Sequence, residues 1–194
     1  MPGWTGWPAP GPGRLRPGQV VTGFNGLAFG LESVYGSLDM ERTISLTVNG
    51  KRRELQLDDA DTLLEVLRDR LKLWSVRESC GVGACGSCTV LLDGRPVSAC
   101  FLLASRLDGR AVETVEGLGD GDALHPIQQA FLEHDAAQCG YCTPGFIMAA
   151  KALLEEHGDP AEDQIREHLS GNLCRCGGYP NIMRAVRAAA AQQG

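Results

Sequence analysis

The chain has 194 residues, a formal net charge of −6 at pH 7, eight cysteines and an aromatic content of 6%. That length holds one domain or two small ones, and an acidic balance without a basic patch argues against nucleic acid as a partner. No run reaches the roughly 18 apolar residues of a membrane span, and no signal-peptide pattern opens the chain, so the expected setting is a reducing cytoplasm, where clustered cysteines point to metal or redox chemistry rather than disulfides.

Residues 1–39 stand apart in composition, with Pro2, Pro8, Pro10, Pro12 and Pro17, frequent glycine, and Trp4 and Trp7. Nothing periodic recurs there, so the segment is expected to be a disordered or loosely docked extension. Met40 directly precedes the first strand pattern and is a candidate start of translation.

From Arg42 the pattern is β. Ile44, Leu46 and Val48 alternate with Thr43, Ser45 and Thr47, Asn49-Gly50 signals a hairpin, and Arg53 to Leu57 alternate back. A helix follows to about Leu71, capped by Asp59 or Asp61, with Leu63, Leu64, Val66 and Leu67 on one side. A second hairpin is expected over Val90–Leu92 and Val97–Cys100 around Asp93-Gly94, and a closing strand over Ala111–Val115. Together these make a small α+β domain, with a ubiquitin-like (β-grasp) arrangement the natural solution.

Between the first helix and the second hairpin lies a loop from Lys72 to Ser87, long enough to be functional. Cys80, Cys85 and Cys88 are spaced C-x4-C-x2-C within and just beyond it, and Cys100 follows eleven residues after Cys88. This is the plant-type spacing for a [2Fe–2S] cluster. Gly81, Gly83, Ala84, Gly86 and Ser87 leave little bulk, so that backbone N–H groups can reach the sulfurs. Zinc prefers C-x2–4-C knuckle pairs, which this spacing fits poorly. The same stretch carries G-x-G-x-x-G at Gly81, Gly83 and Gly86, but it lacks the preceding strand and following helix of a dinucleotide site.

After the glycine-acidic run at 117–121, taken as the boundary between a domain at 40–117 and one at 118–194, the pattern becomes helical. Four helices are expected: about His125–Asp135; Pro144–Glu156 with Thr143 as N-cap and Gly158 past its end; Pro160–Leu169 capped by Asp159 and stopped at Gly171; and Pro180 to near Ala191. Cys139 and Cys142 lie between the first and second of these, and Cys174 and Cys176 between the third and fourth. In an up-down-up-down bundle both loops fall at one end. An approximate twofold relates the halves, each a cysteine loop feeding a proline-initiated helix. Taken alone, this second set fits either a second cluster or zinc. His125, His134, His157 and His168 are read as surface residues, and Arg175 as a charge that could raise a cluster's potential or pair with a neighbouring acid.

The segments Gln138-Cys139-Gly140-Tyr141-Cys142-Thr143-Pro144-Gly145 and Gly171-Asn172-Leu173-Cys174-Arg175-Cys176-Gly177-Gly178-Tyr179, with the first cysteine set, resemble the small iron–sulfur subunit of the molybdenum hydroxylases, the xanthine dehydrogenase, aldehyde oxidoreductase and carbon monoxide dehydrogenase family. The resemblance covers about Met40 to Gln192. It implies a β-grasp ferredoxin-like domain with one [2Fe–2S] cluster on Cys80, Cys85, Cys88 and Cys100, then an all-α four-helix-bundle domain with another on Cys139, Cys142, Cys174 and Cys176. It implies a large molybdopterin-binding subunit beside the helical domain, a medium FAD-binding subunit beside the ferredoxin-like domain, and a pterin contact from Gln138. The function implied is electron relay from molybdopterin to FAD, with no catalytic residue on this chain. A free ferredoxin-type carrier and a zinc-bound interaction module are the rival readings. The 39-residue extension departs from the family pattern.

Overall fold

The computed structural model describes residues 41–120 and 123–192. The expectations for residues 1–39 and Met40 lie outside them. Strand β1 (Glu41–Val48) pairs antiparallel with β2 (Lys51–Asp58) in register from Glu41 opposite Asp58 to Val48 opposite Lys51. Asn49 and Gly50, at φ 49° and 73°, make the two-residue turn that their sequence signals. Strands β3 (Thr89–Leu92) and β4 (Arg95–Ser98) form the second hairpin. The sheet order is β2-β1-β5-β3-β4, with β5 (Ala111–Glu113) parallel to β1 and antiparallel to β3. The last strand therefore fills the centre of the sheet between the two hairpins.

Two corrections concern how the first cysteine set is held. The first helix is capped by Thr62, not by Asp59 or Asp61: Glu65 N donates to Thr62 Oγ1 at 3.2 Å, and Thr62 N donates to Glu65 Oε2 at 2.8 Å. This capping box opens a short α1 (Leu63–Glu65), which widens into a π-turn over Val66–Arg70. The π-turn keeps Leu63, Leu64, Val66 and Leu67 buried against Ile44, Leu46, Leu57 and Val90. The second hairpin ends at Ser98, and Cys100 sits on a 3₁₀ turn, Ala99–Phe101. Departure from the strand turns Cys100 back toward the Cys80 loop.

The helices α2 (Pro126–Glu133), α3 (Thr143–His157), α4 (Glu162–His168) and α5 (Tyr179–Ala191) enclose a second core of Ile127, Phe131, Phe146, Ile147, Leu153, Ile165, Ile182 and Val186. Proline occupies the first turn of α2, α3 and α5, where its missing N–H leaves no helical bond unmade. The caps differ from expectation: α3 starts after Cys142 itself, and α4 after Ala161, whose N–H donates to Gln164 Oε1 at 2.8 Å. His125 is not an idle surface residue. Its Nδ1 accepts from Ile127 N at 3.3 Å as the N-cap of α2.

Helix α3 belongs to the bundle core and also covers the outer face of the sheet. Phe146, Ile147, Ala150 and Leu153 face the bundle, whereas Met148 and Ala152 pack on Leu91 of β3. A helix apolar on several sides is stable only when covered on several sides. Lys151, its ammonium nearly buried, donates to Glu113 of β5 at 3.1 Å and to Glu155 at 2.6 Å. Burial works against its charge, but the two carboxylates win and raise its pKa. At the N-terminus of α3, a Cβ built on Gly145 would lie 2.1 Å from Gly86 O.

Gly145→Ala should destabilise the chain by about 1–3 kcal/mol, because the methyl meets a backbone carbonyl, while the helix-propensity gain is at most about 1 kcal/mol. Gly171→Ala, with open space around it, should lie within about 0.5 kcal/mol of wild type; urea midpoints of both variants check the contrast. Partial burial, aided by Lys151, lowers the His125 pKa from 6.5. The unfolded chain thus takes that proton first, and stability should fall as pH drops below about 6.5. His125→Asn keeps a good N-cap without the titration, so its urea midpoint should fall less than wild type between pH 7 and pH 5.

Candidate metal centres

The cysteine loop between Lys72 and Thr89 has no regular structure of its own and is held from its ends. Ser75 is fixed by Glu116, which accepts from Ser75 N at 2.9 Å and from Ser75 Oγ at 2.5 Å, and Thr114 Oγ1 donates to the same carboxylate at 2.6 Å. Burial alone would raise the Glu116 pKa, but these donors lower it, so the anchor is ionised. Thr114 is in turn fixed by Asn49 at the β1–β2 turn. Thus the sheet end sets where the loop begins, and β3 sets where it ends.

Within the loop, the small residues do what their size allows. Gly83 N and Ala84 N each point at a sulfur, of Cys100 and Cys80 respectively, both at 3.3 Å. N–H groups of Val82 and Ala84, with the Cys85 thiol, bring the Cys80 pKa down to about 6. Cys88, buried and close to Cys100 and Cys85, is pushed the other way, to about 11. Cys80 neighbours Cys85, and Cys88 neighbours both Cys100 and Cys85.

The second set assembles from residues more than thirty positions apart. Cys139 lies beside Cys176, and Cys142 beside Cys174. Tyr141 N–H, the strongest influence, and the Cys176 thiol lower the Cys139 pKa. Burial, then the Cys174 partner, pushes Cys142 up to about 12. At Cys174 burial opposes ionisation, but N–H groups of Gly178, Cys176 and Gly177 and the Cys142 thiol overcome it. The approximate twofold is visible in the backbone: Gly140 and Gly177 each follow a cysteine and share φ 75°, a left-handed turn that a side chain would strain. Cys139 and Cys176 are exposed, and Cys142 and Cys174 half-buried. Gln138 beside Cys139 is exposed, as is Arg175.

No disulfide joins any of the eight cysteines. Among the described residues, no three His, Cys, Asp or Glu side chains close on a point that could hold one ion. A zinc ion needs four donors around one centre. A two-iron cluster takes two thiolates on each iron, with N–H groups directed at sulfur. The neighbouring sulfurs and their donors fit the latter in both halves.

The two loops also touch, which the sequence did not announce. Leu173 N, beside Cys174, donates to Cys85 O at 2.9 Å. The buried Asn172 donates through Nδ2 to Gly86 O at 2.9 Å and reaches Thr89 Oγ1 at 3.3 Å. Arg77 Nη1 donates to Gly140 O at 2.5 Å, with its guanidinium 5.3 Å from the centre of the Tyr141 ring. Tyr141 Oη donates to Glu78 O. These contacts join segments 63 to 88 residues apart, beyond the reach of local pattern.

Residues 46–117 match the family described as the 2Fe-2S iron-sulfur cluster binding domain, and residues 114–187 that described as the [2Fe-2S] binding domain. The chain is 48% identical over 151 residues to the nicotine 6-hydroxylase small subunit of Paenarthrobacter nicotinovorans, across 78% of this chain and 91% of that one. The crystal structure of quinoline 2-oxidoreductase from Pseudomonas putida 86 superposes with a TM-score of 0.77 at 41% identity, covering 80% of this chain and 97% of that chain. The aldehyde oxidoreductase of Desulfovibrio desulfuricans ATCC 27774 superposes with a TM-score of 0.75 at 48% identity, covering 77% of this chain but 17% of that much longer one.

Proposed function

Since the chain belongs to the small iron–sulfur subunit family of the molybdenum hydroxylases, an electron-transfer component of an oxidoreductase complex, we propose how its residues divide that work. Cys80, Cys85, Cys88 and Cys100 hold one [2Fe–2S] cluster, with Cys80 and Cys85 on one iron and Cys88 and Cys100 on the other. Cys139, Cys142, Cys174 and Cys176 hold the second, with Cys139 and Cys176 on the outer iron and Cys142 and Cys174 on the inner. The cysteine spacing, the N–H groups directed at sulfur and the two matched 2Fe-2S families support the two clusters, and the neighbouring cysteines suggest this division between irons. When bound, each cluster accepts and passes on one electron at a time.

The exposure of Cys139 and Cys176 supports electron entry at that pair, from a large molybdopterin-binding subunit. Gln138, exposed beside it, offers an amide that can donate to and accept from a pterin edge. Inward, the Leu173 N–H to Cys85 O bond links the two ligand loops directly, so the internal step needs no intervening residue. The exit is the ferredoxin-like loop, facing a medium FAD-binding subunit. The matched proteins are named for nicotine, quinoline and an aldehyde, so similar iron–sulfur chains accompany unlike substrates. Substrate choice accordingly belongs to the partner, and a cytoplasmic location suits cysteines that form no disulfide.

Four irons and four acid-labile sulfides per chain are expected. Stoichiometric zinc without sulfide would refute the assignment. In the assembled complex, Cys142→Ala should abolish reduction of flavin by substrate. Cys85→Ala should leave the helical-domain cluster reducible by substrate while the flavin stays oxidised, as anaerobic absorption and paramagnetic resonance would report; flavin bleaching at the wild-type rate in Cys85→Ala would reverse the proposed order. Gln138→Ala should keep both clusters yet weaken association with the large subunit by about 0.5–1.5 kcal/mol, the worth of one neutral hydrogen bond. Unchanged association and turnover would leave Gln138 an ordinary loop amide.

A further inference from the structure

Arg77 precedes the first ligand loop by three residues, yet its guanidinium rests on the second. One nitrogen donates to Gly140 O, between Cys139 and Cys142, and the plane stands over the Tyr141 ring. Tyr141 closes the arrangement by donating from its hydroxyl to Glu78 O, the residue next to Arg77. The backbone N–H of Tyr141 also stabilises the Cys139 thiolate, lowering its pKa. A carbonyl and an aromatic face are uncharged partners, so these contacts fix the cation's place without cancelling its charge. Arg77 is half-buried, where screening by solvent is reduced.

Resting on the two-cluster reading above, we infer that Arg77 is a positioning cation that raises the electron affinity of the helical-domain cluster. An added electron brings a further negative charge into a loop already holding four thiolates, and a fixed cation against that loop lowers the energy of the reduced state. The effect is greatest where the guanidinium touches, at the Cys139–Cys142 loop, and smaller at the Cys80 loop, which it only precedes. Arginine suits this place better than lysine because a planar guanidinium can stack on a ring while its edge donates to a carbonyl. Tyr141 holds the cation through its ring and joins the two loops through its hydroxyl.

The test is a dithionite titration of the full chain carrying both clusters, followed through their paramagnetic signals. Arg77→Gln should lower the helical-domain cluster's electron affinity at least tenfold, about 59 mV for a one-electron couple, with a smaller change at the other cluster. Arg77→Lys, which keeps the charge but loses the fork, should recover most of the difference. Tyr141→Leu, which removes the ring that holds the guanidinium, should shift the same midpoint downward, and it decides the matter if Arg77→Gln fails to retain its clusters. A helical-domain midpoint equal to wild type in the deciding variant, or a shift confined to the ferredoxin-like cluster, would overturn the inference. A wild-type chain without sulfide would instead overturn the two-cluster reading on which it rests.

Discussion

Among the contacts between the two halves, the carbonyl oxygen of Gly86 gathers the most donors. It accepts from Thr89 N and Oγ1 at the start of β3, and from Asn172 Nδ2, which reaches across from the other cysteine loop. Gly145 comes so close that no side chain fits between them. A buried amide left without its acceptor would cost about 1–3 kcal/mol, so Asn172 holds this junction by need as well as by gain. The contact also fixes the positions of Cys85 and Cys174, because Leu173 N–H bonds Cys85 O one residue away on each side. The distance between the two ligand sets is therefore set by backbone, which varies less than side-chain packing.

Around each set the chain directs backbone dipoles at sulfur, and beside the second it adds one cation, Arg77. The N–H groups of Gly83, Ala84 and Gly178 face sulfurs, and small residues clear the approach. Hydrogen bonds to sulfur and the degree of burial are the levers that tune iron–sulfur potentials. The two sets differ in both. Cys85 and Cys88 are buried in the first, whereas Cys139 and Cys176 are exposed in the second. One ligand set is sheltered by its own domain, and the other stands at the surface where a partner can complete its surroundings.

Much of this was legible in the sequence, because the signals were local. Asn49-Gly50, the alternation of Ile44, Leu46 and Val48, and the spacing of the first three cysteines each compress a structural requirement into a few residues. The prolines opening α2, α3 and α5 did the same for the helices. Errors arose where a neighbour competed. Thr62 took the cap from two nearby aspartates because Glu65 lay three residues on and could reciprocate. Cys100 left its strand because its sulfur had to meet Cys88. His125 seemed a polar surface residue because nothing local marks an imidazole as a cap. Asn172, Gly145 and Arg77 act across more than fifty residues of chain, and no local period or motif carries such information.

Helix α3 has one further consequence. Its residues fill the bundle core on one side and cover Leu91 on the other, with Lys151 tied to the central strand β5. Without α3 the bundle would lose part of its interior, and Leu91 on the outer face of the sheet would lose its cover. A cut between the halves would thus not release two self-sufficient modules: the sheet would bare an apolar face and the bundle would be left with a buried lysine short of a carboxylate. The halves should melt as one cooperative block, because the face that joins them is apolar on both sides.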